Sequence, residues 1–199
     1  MDRFHMNRRR SLAGACIALG LAACASAPTT LVALPSPAPR AEPAAATAAE
    51  AAPTVRLRTV RLPDYLDGFA VLVARDGQAL VVADRVEWAE RPLQGVSRVL
   101  RDALAQRIGP DKLLIAGDGR RADADINVEF MALDPQRDGL QLDARWSFTC
   151  HANGRSRAGR MSAQLAMTAA TAQAVAATTS EAVARLADAL ADQLHCGGA

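Results

Sequence analysis

Between Ala124 and Met167 the chain alternates apolar and polar residues in three successive segments, and this period of two limits what it can fold into. Ala124, Ile126, Val128, Phe130 and Ala132 share one face of a first strand, with Asp125, Asn127 and Glu129 on the other. After turn residues between Asp134 and Gly139, Leu140, Leu142, Ala144, Trp146, Phe148 and Cys150 repeat the pattern. Gln141, Asp143, Arg145, Ser147 and Thr149 lie opposite them. Asn153-Gly154 is a tight-hairpin signal. Met161, Ala163, Leu165 and Met167 then line the inner face of a third strand, with Arg160, Ser162 and Gln164 outside. Successive side chains of a strand point to opposite faces. The segment therefore predicts an antiparallel meander with one wetted face.

The flanking segments supply the cover. Val55, Leu57 and Thr59 alternate with Arg56 and Arg58 as a half-buried strand, and Pro63, Asp64 and Gly68 then bend the chain. Ala70–Ala74 and Leu80–Ala83 read as two short strands around an Asp76-Gly77 turn. Pro92 opens a helix, where its missing N–H costs nothing. Leu93, Val96, Val99, Leu100, Ala103, Leu104 and Ile108 recur on it at three- and four-residue spacing. Gly109-Pro110 ends that helix, and Leu113–Ala116 reads as a short strand. A last helix is expected over Ala172–Leu194, with a stripe of Val175, Ala182, Val183, Leu186, Leu190 and Leu194. The expected fold is α+β: an antiparallel sheet with two helices packed on one face.

The N-terminus is of another kind. Arg8, Arg9 and Arg10 precede an apolar run of twelve residues, Leu12 to Ala23. That length suits the apolar region of an export signal and is too short to span a bilayer as a helix. The run ends in Leu21-Ala22-Ala23-Cys24, which resembles the lipobox of bacterial lipoproteins. The resemblance implies cleavage before Cys24, a diacylglycerol on its thiol and an acylated amine. The alternative is an ordinary export signal with an incidental cysteine. Arg8-Arg9-Arg10-Ser11-Leu12 also admits a twin-arginine reading, against which a simple basic region is preferred. In lipoproteins of the resembling class, Asp after the cysteine favours inner-membrane retention. Ala25 stands there, so the expected location is the periplasmic face of the outer membrane.

The domain plan is then a signal at 1–23, a Pro/Ala-rich tether at 24–53, and a single domain at 54–199. Six of the ten prolines fall in the tether, which has little to bury. One apolar island at 31–34, Leu31-Val32-Ala33-Leu34, reads as a first strand docked on the domain. The whole-chain charge of +2 includes Arg3, Arg8, Arg9 and Arg10 against Asp2, so the mature chain carries +2 − 3 = −1. That near-neutrality gives no ground for a nucleic-acid partner. Of the four cysteines, Cys16 leaves with the signal and Cys24 is the lipidation candidate. Cys150 and Cys196 remain as an even pair in an oxidising compartment, which favours a disulfide. A zinc site drawing on the adjacent His151 and His195, or two free thiols, are the alternatives. Strand and helix lengths support the disulfide. A strand leads away from Cys150 and a helix of matching length returns Cys196 beside it.

Two segments resemble a known family. Val60-Arg61-Leu62-Pro63-Asp64-Tyr65-Leu66-Asp67 is the first. Glu87-Trp88-Ala89-Glu90-Arg91-Pro92-Leu93, followed by Val96-Ser97-Arg98-Val99-Leu100, is the second. In that order they look like the PqiC-like, ABC-type transport auxiliary lipoprotein family. Val73-Ala74-Arg75 fits its strand end, and the lipobox and final helix fit as well. Arg91 is one residue more than the family pattern holds, and the early strand lacks a usual Tyr. The resemblance implies a noncatalytic accessory lipoprotein of a lipid-trafficking system. It also implies work with an ABC permease, its ATPase and an MCE-domain protein.

Read for chemistry, the residues offer little. The chain has no Gly-x-Ser-x-Gly, His-Glu-x-x-His or Walker A pattern. His151 beside a hairpin and His195 at a helix end read as structural histidines, and Asp123 with Asp125 as a solvated strand face rather than a metal pair. Gly117-Asp118-Gly119 reads as a turn. No cofactor or metal is expected. Tyr65 and Trp88 are the candidate partner-binding residues, because Tyr and Trp are enriched at interfaces; packing at the sheet ends is the competing role. The expected function is a noncatalytic outer-membrane lipoprotein serving an MCE/ABC lipid-trafficking assembly, and a homo-oligomer is compatible with it. A stand-alone periplasmic lipid carrier is the alternative, followed by an anchored hydrolase or a cell-wall-binding protein.

Overall fold

The computed structural model describes residues 27–39, 53–115 and 117–196. Its strands are β1 (Thr30–Val32), β2 (Val55–Arg61), β3 (Ala70–Asp76), β4 (Ala79–Trp88), β5 (Leu113–Leu114), β6 (Ala124–Pro135), β7 (Gly139–Cys150) and β8 (Ser156–Ala166). Its helices are α1 (Pro92–Ile108) and α2 (Ala172–Ala191), with single 3-10 turns at Asp64–Leu66 and Pro110–Lys112.

The strands form two sheets, ordered β5-β2-β6-β7-β8 and β1-β4-β3. The meander is as expected: β6, β7 and β8 pair antiparallel, with Ala124 opposite Cys150 and Leu140 opposite Leu165. The expectation of a purely antiparallel sheet is corrected. β2 runs parallel to both β5 and β6, and β1 runs parallel to β4. The reason is topological. Between β2 and β6 the chain makes the β3–β4 hairpin and then α1, and this long crossover returns β6 in the direction of β2. Alternation reports which face of a strand is buried, not the direction of its neighbour.

Two bulges also shift the expected faces. The register slips between Leu57 and Thr59, so Val60 rather than Thr59 packs on the core. It slips again between Phe130 and Ala132, which turns Leu133 inward and leaves Ala132 half-buried. Such an insertion reverses the alternation downstream of it.

Both helices pack against one face of the larger sheet. α1 lies on β2 and β5, and α2 on β7 and β8. Between helices and sheet sit Phe130, Phe148, Leu100, Leu104, Leu142 and Leu186, all fully buried. Trp146 lies across Gly159 of the neighbouring strand, where an added Cβ would meet its ring at 2.4 Å. The opposite face of the sheet is wetted and ion-paired. Arg58 reaches Asp125 at 3.0 Å, and Arg160 pairs with Asp143, holding that carboxyl below its ordinary range. Among the described residues no helix is long and apolar enough to cross a membrane.

The apolar island at 31–34 overlaps β1, which spans Thr30–Val32; Ala33 and Leu34 follow it outside the strand. β1 pairs with the end of β4, and its tail buries Val32 and Leu34. Gly95 of α1 makes room, because a Cβ there would stand 2.9 Å from Leu34 Cδ1. Arg98 clamps the same segment, donating to the Leu34 carbonyl at 2.9 Å and to Glu90 at 2.5 Å. Five residues, 25–29, lie between the lipobox cysteine and the first residue of β1. Cys24 itself lies outside the described residues. So do the signal peptide and positions 40–52 of the expected tether.

Candidate functional site

The two sequence motifs meet at one corner of the molecule, where the small sheet joins the start of α1. Pro63 fixes the approach to a 3-10 turn closed by Leu66 N–H donating to the Pro63 carbonyl at 3.0 Å. The turn holds Tyr65 at the surface, 43% exposed, with its hydroxyl donating to Asp134 Oδ1 at 2.7 Å. The other oxygen of Asp134 meets Arg75 Nε at 2.9 Å, and the Arg75 guanidinium lies 5.0 Å from the Tyr65 ring centroid. The bulge in β6 is what turns Asp134 into this position.

Partial burial, then the hydrogen bond to Asp134 and its negative charge, push the Tyr65 phenol from 10.0 up to about 12, against the opposing pull of Arg75. The neutral phenol therefore contributes stability that is complete below pH 10 and is lost as pH rises toward about 12. Tyr65 is the one tyrosine of the chain, so ultraviolet titration of the phenolate reads it alone. We expect a midpoint near 12 in the native protein, and a downward move in Asp134→Asn. A native midpoint at 10 would show that the hydroxyl does not donate to Asp134.

A second cluster adjoins the first. Asp67 acts at a distance as the cap of α1, accepting the Leu93 backbone N–H on Oδ1 at 3.1 Å. Arg91, the residue immediately before the helix, offers no side-chain cap of its own. Its guanidinium instead reaches the Asp67 carbonyl at 3.0 Å and lies 5.5 Å from the Phe69 ring centroid, a cation–π contact. The residue that exceeds the family spacing is thus the one that joins the two motifs. Phe69 is 49% exposed.

Trp88 corrects half of the expected binding pair. It is 8% exposed and packs into the core, so it supports this corner from beneath and offers almost no surface. Tyr65 and Phe69 are the aromatic residues a partner could touch. The motifs include Asp67 and Arg75 but gave neither a role, and they contain neither Phe69 nor Asp134; Asp67 and Asp134 act on distant partners. The last two lie 26 and 69 positions from their partners, beyond the reach of any local pattern.

The space beneath this corner is small. A slot lined by Leu62, Leu66, Leu72, Trp88, Leu133 and Val175 encloses about 40 Å³. On the outer face of the larger sheet, Arg61, Glu129, Arg145 and Thr59 border an open polar depression of about 340 Å³.

The remaining candidates occupy structural positions. His151 bonds through Nδ1 to the Ala122 carbonyl at 2.9 Å, and its Nε2 lies 3.3 Å from Asp125. His195 meets Arg157 at 2.7 Å. Asp123 accepts the Thr54 N–H at 2.8 Å, which fastens the start of β2. Asp125 is not the solvated residue expected: it is 8% exposed beneath Arg58 and His151. Gly117 takes φ +90 in a turn, with Asp118 pairing to Arg120. Among the described residues no group of three or more His, Cys, Asp or Glu side chains is placed to hold a metal. Cys150 and Cys196 form a disulfide with Cα atoms 5.7 Å apart.

Solved structures share this fold at low sequence identity. A crystal structure of an uncharacterized protein aligns with a TM-score of 0.65 at 15% identity, covering 84% of this chain and 99% of that one. A Xanthomonas campestris protein aligns with a TM-score of 0.55 at 14% identity, covering 82% and 91%. A search of curated proteins finds no match. The family model of the ABC-type transport auxiliary lipoprotein component matches residues 33–191, which takes in both motifs, every strand except β1 and both helices, and so the chain belongs to that family.

Proposed function

We propose that this chain is a noncatalytic, lipid-anchored accessory component of an MCE/ABC lipid-trafficking assembly, held on the periplasmic face of the outer membrane. The observation that carries the reading is the family match over 33–191, whose name ties the chain to ABC-type transport. The lipobox at Cys24 and the Ala25 that follows it support the location. The partner is a periplasm-crossing MCE-domain protein linked to an ABC permease and ATPase. Its contact surface is the corner of Tyr65, Phe69 and Arg91. Two half-exposed aromatics, each held by a guanidinium, are suited to desolvation by a partner.

The stand-alone carrier reading is weaker on lining. Ligand pockets run to about 300–1,000 Å³ and are mostly apolar; the apolar slot encloses about 40 Å³, and the two spaces of ligand size, about 340 Å³ beside Arg61 and Glu129 and about 580 Å³ between Pro35–Pro39 and the two helices, are open and bordered by charged side chains. A hydrolase would need a base set against a nucleophile. The partners of His151 and His195 are a carbonyl, a carboxylate and a guanidinium.

The test is capture of the MCE component by the lipidated protein after mild crosslinking. Tyr65→Ala with Phe69→Ala should keep the fold and lose most of the capture, since one central interface aromatic is commonly worth about 2 kcal/mol or more. Trp88 is left intact, because truncating a buried Trp costs about 3–5 kcal/mol of stability and confounds the readout. Recovery of no MCE component with the native protein would overturn the reading. Full capture by a folded double variant would move the contact surface elsewhere.

A further inference from the structure

β8 is the open edge of the larger sheet. It is eleven residues long, pairs with β7 in unbroken register and holds no proline. Among the described residues no strand lies on its other side. Two hydrogen bonds at the ends of the ladder show which of its backbone groups are unused. Cys150 N–H donates to the Arg155 carbonyl at 2.9 Å, and Met167 N–H donates to the Asp138 carbonyl at 3.1 Å. Directly opposed residues exchange such bonds only at every second pair of an antiparallel ladder. Both bonds assign the odd-numbered residues of β8 to β7. Ser156, Ala158, Arg160, Ser162, Gln164 and Ala166 therefore turn their N–H and C=O groups outward. A long edge with a free row of this kind is a template for another strand. Sheets commonly blunt such an edge, as the opposite one does here with β5, which is two residues long.

The side chains of β8 set what an added strand must carry. The even-numbered ones lie on the wetted face; five are small or neutral, and Arg160 is tied to Asp143. The odd-numbered ones lie on the helix side. There Gly159 has no side chain, and the half-buried Trp146 ring lies over it. In antiparallel addition the position opposite Gly159 is a non-hydrogen-bonded site, where facing side chains come closest. An inward residue of the added strand would meet the ring there. Arg157 stands two residues earlier and is exposed. Its Nη1 lies 2.7 Å from His195 Nε2, and a guanidinium only donates, so that nitrogen accepts and brings no negative charge. Among the described residues no carboxylate pairs with Arg155 or Arg157. The sequence holds no Asp or Glu between Asp143 and Glu181, so the β8 of a second copy has no carboxylate for these guanidiniums.

We propose that β8 takes up a strand from another protein: an extended segment with an apolar residue on the Trp146 ring and, two positions later, an acidic residue on Arg157. Such a contact requires neither the lipid anchor nor the Tyr65 corner.

A synthetic peptide, Thr-Val-Thr-Leu-Thr-Glu-Thr, presents Val, Leu and Glu to Met161, Gly159 and Arg157 in antiparallel order, the more stable pairing per residue. Fluorescence anisotropy of the labelled peptide is read against the lipidated full chain in detergent micelles, with the signal of empty micelles subtracted. The peptide should bind at millimolar concentration or below, and amide exchange should slow at the even-numbered residues of β8. Replacing its Glu by Lys should weaken binding about fivefold, the upper range for one cross-strand pair. Arg157→Glu should reverse that preference. Ala158→Pro removes an outward N–H at an edge position that tolerates proline, and should abolish binding. No binding by the native chain, or undiminished binding by a folded Ala158→Pro, would overturn the proposal. If Ala158→Pro does not fold, the exchange pattern and the Arg157→Glu reversal decide. Equal binding of the Glu and Lys peptides would overturn the acidic partner. A native chain that self-associates, and becomes monomeric in Ala158→Pro, would assign the edge to a second copy and overturn it as well.

Discussion

Replacing Cys24 with serine should release the whole chain from the membrane fraction. The expected product of Cys24→Ser is either the uncleaved precursor or a soluble periplasmic protein without acyl label. The size of the effect follows from the chemistry of anchoring. Each buried methylene contributes about 0.8 kcal/mol, so several acyl chains on one residue hold far more strongly than any surface contact of the domain. The substitution should therefore be nearly all-or-none in fractionation while the fold is unaffected, because β1, the first described strand, begins six residues later. Circular dichroism of the released protein should match that of the native one. Unchanged outer-membrane fractionation of Cys24→Ser, with acyl label retained, would remove the lipidation reading and the anchored location proposed from it.

The legible parts of this fold were those written locally. β6, β7 and β8 could be traced residue by residue because burial on one face imposes a strict period of two. α1 and α2 were visible from apolar stripes, and α1 also from Pro92 and Gly109 at its ends. The segment that holds β1 is marked by the apolar island Leu31–Leu34 in a proline-rich stretch, although the strand itself is Thr30–Val32. What stayed hidden was set by partners distant in sequence. Parallel pairing of β2 with β5 and β6 depends on a crossover of more than fifty residues, and no window along the chain contains it. The two bulges, which turn Val60 and Leu133 inward, leave no mark but a broken alternation. The site divided along the same line. Its motifs marked Tyr65 and Trp88, yet only the fold shows that one is held at the surface by Asp134 and Arg75 while the other lies in the core. Asp67 capping α1 from 26 residues away is equally invisible, because a cap is normally sought next to its helix.

Removing both thiols of the disulfide, as Cys150→Ala with Cys196→Ala, should give the largest loss of stability short of a core truncation. The bond closes a segment of 46 residues that contains β8 and α2. In the chain-entropy account, a loop of that length stabilises by about 4 kcal/mol, less any strain in the folded state. At about 2–4 °C per kcal/mol for a domain of this size, the melting temperature should fall by about 8–16 °C. The native fold should nevertheless persist in the variant. Leu190 and Leu194 are buried beneath the sheet, Arg107 of α1 holds Asp192 at 2.7 Å, and Asn153 donates to the Cys196 carbonyl at 3.3 Å. These contacts keep the end of α2 beside the Asn153-Gly154 hairpin without the bond. The effect should therefore appear mainly as a more expanded unfolded state, with a larger denaturant m-value, and only secondarily as fraying after Ala191. Thermal and urea unfolding of oxidised, reduced and double-alanine protein separate the two contributions. Equal melting temperatures for all three would show that the loop is already closed by noncovalent contacts in the unfolded chain, and that the bond adds nothing the packing of α2 does not supply.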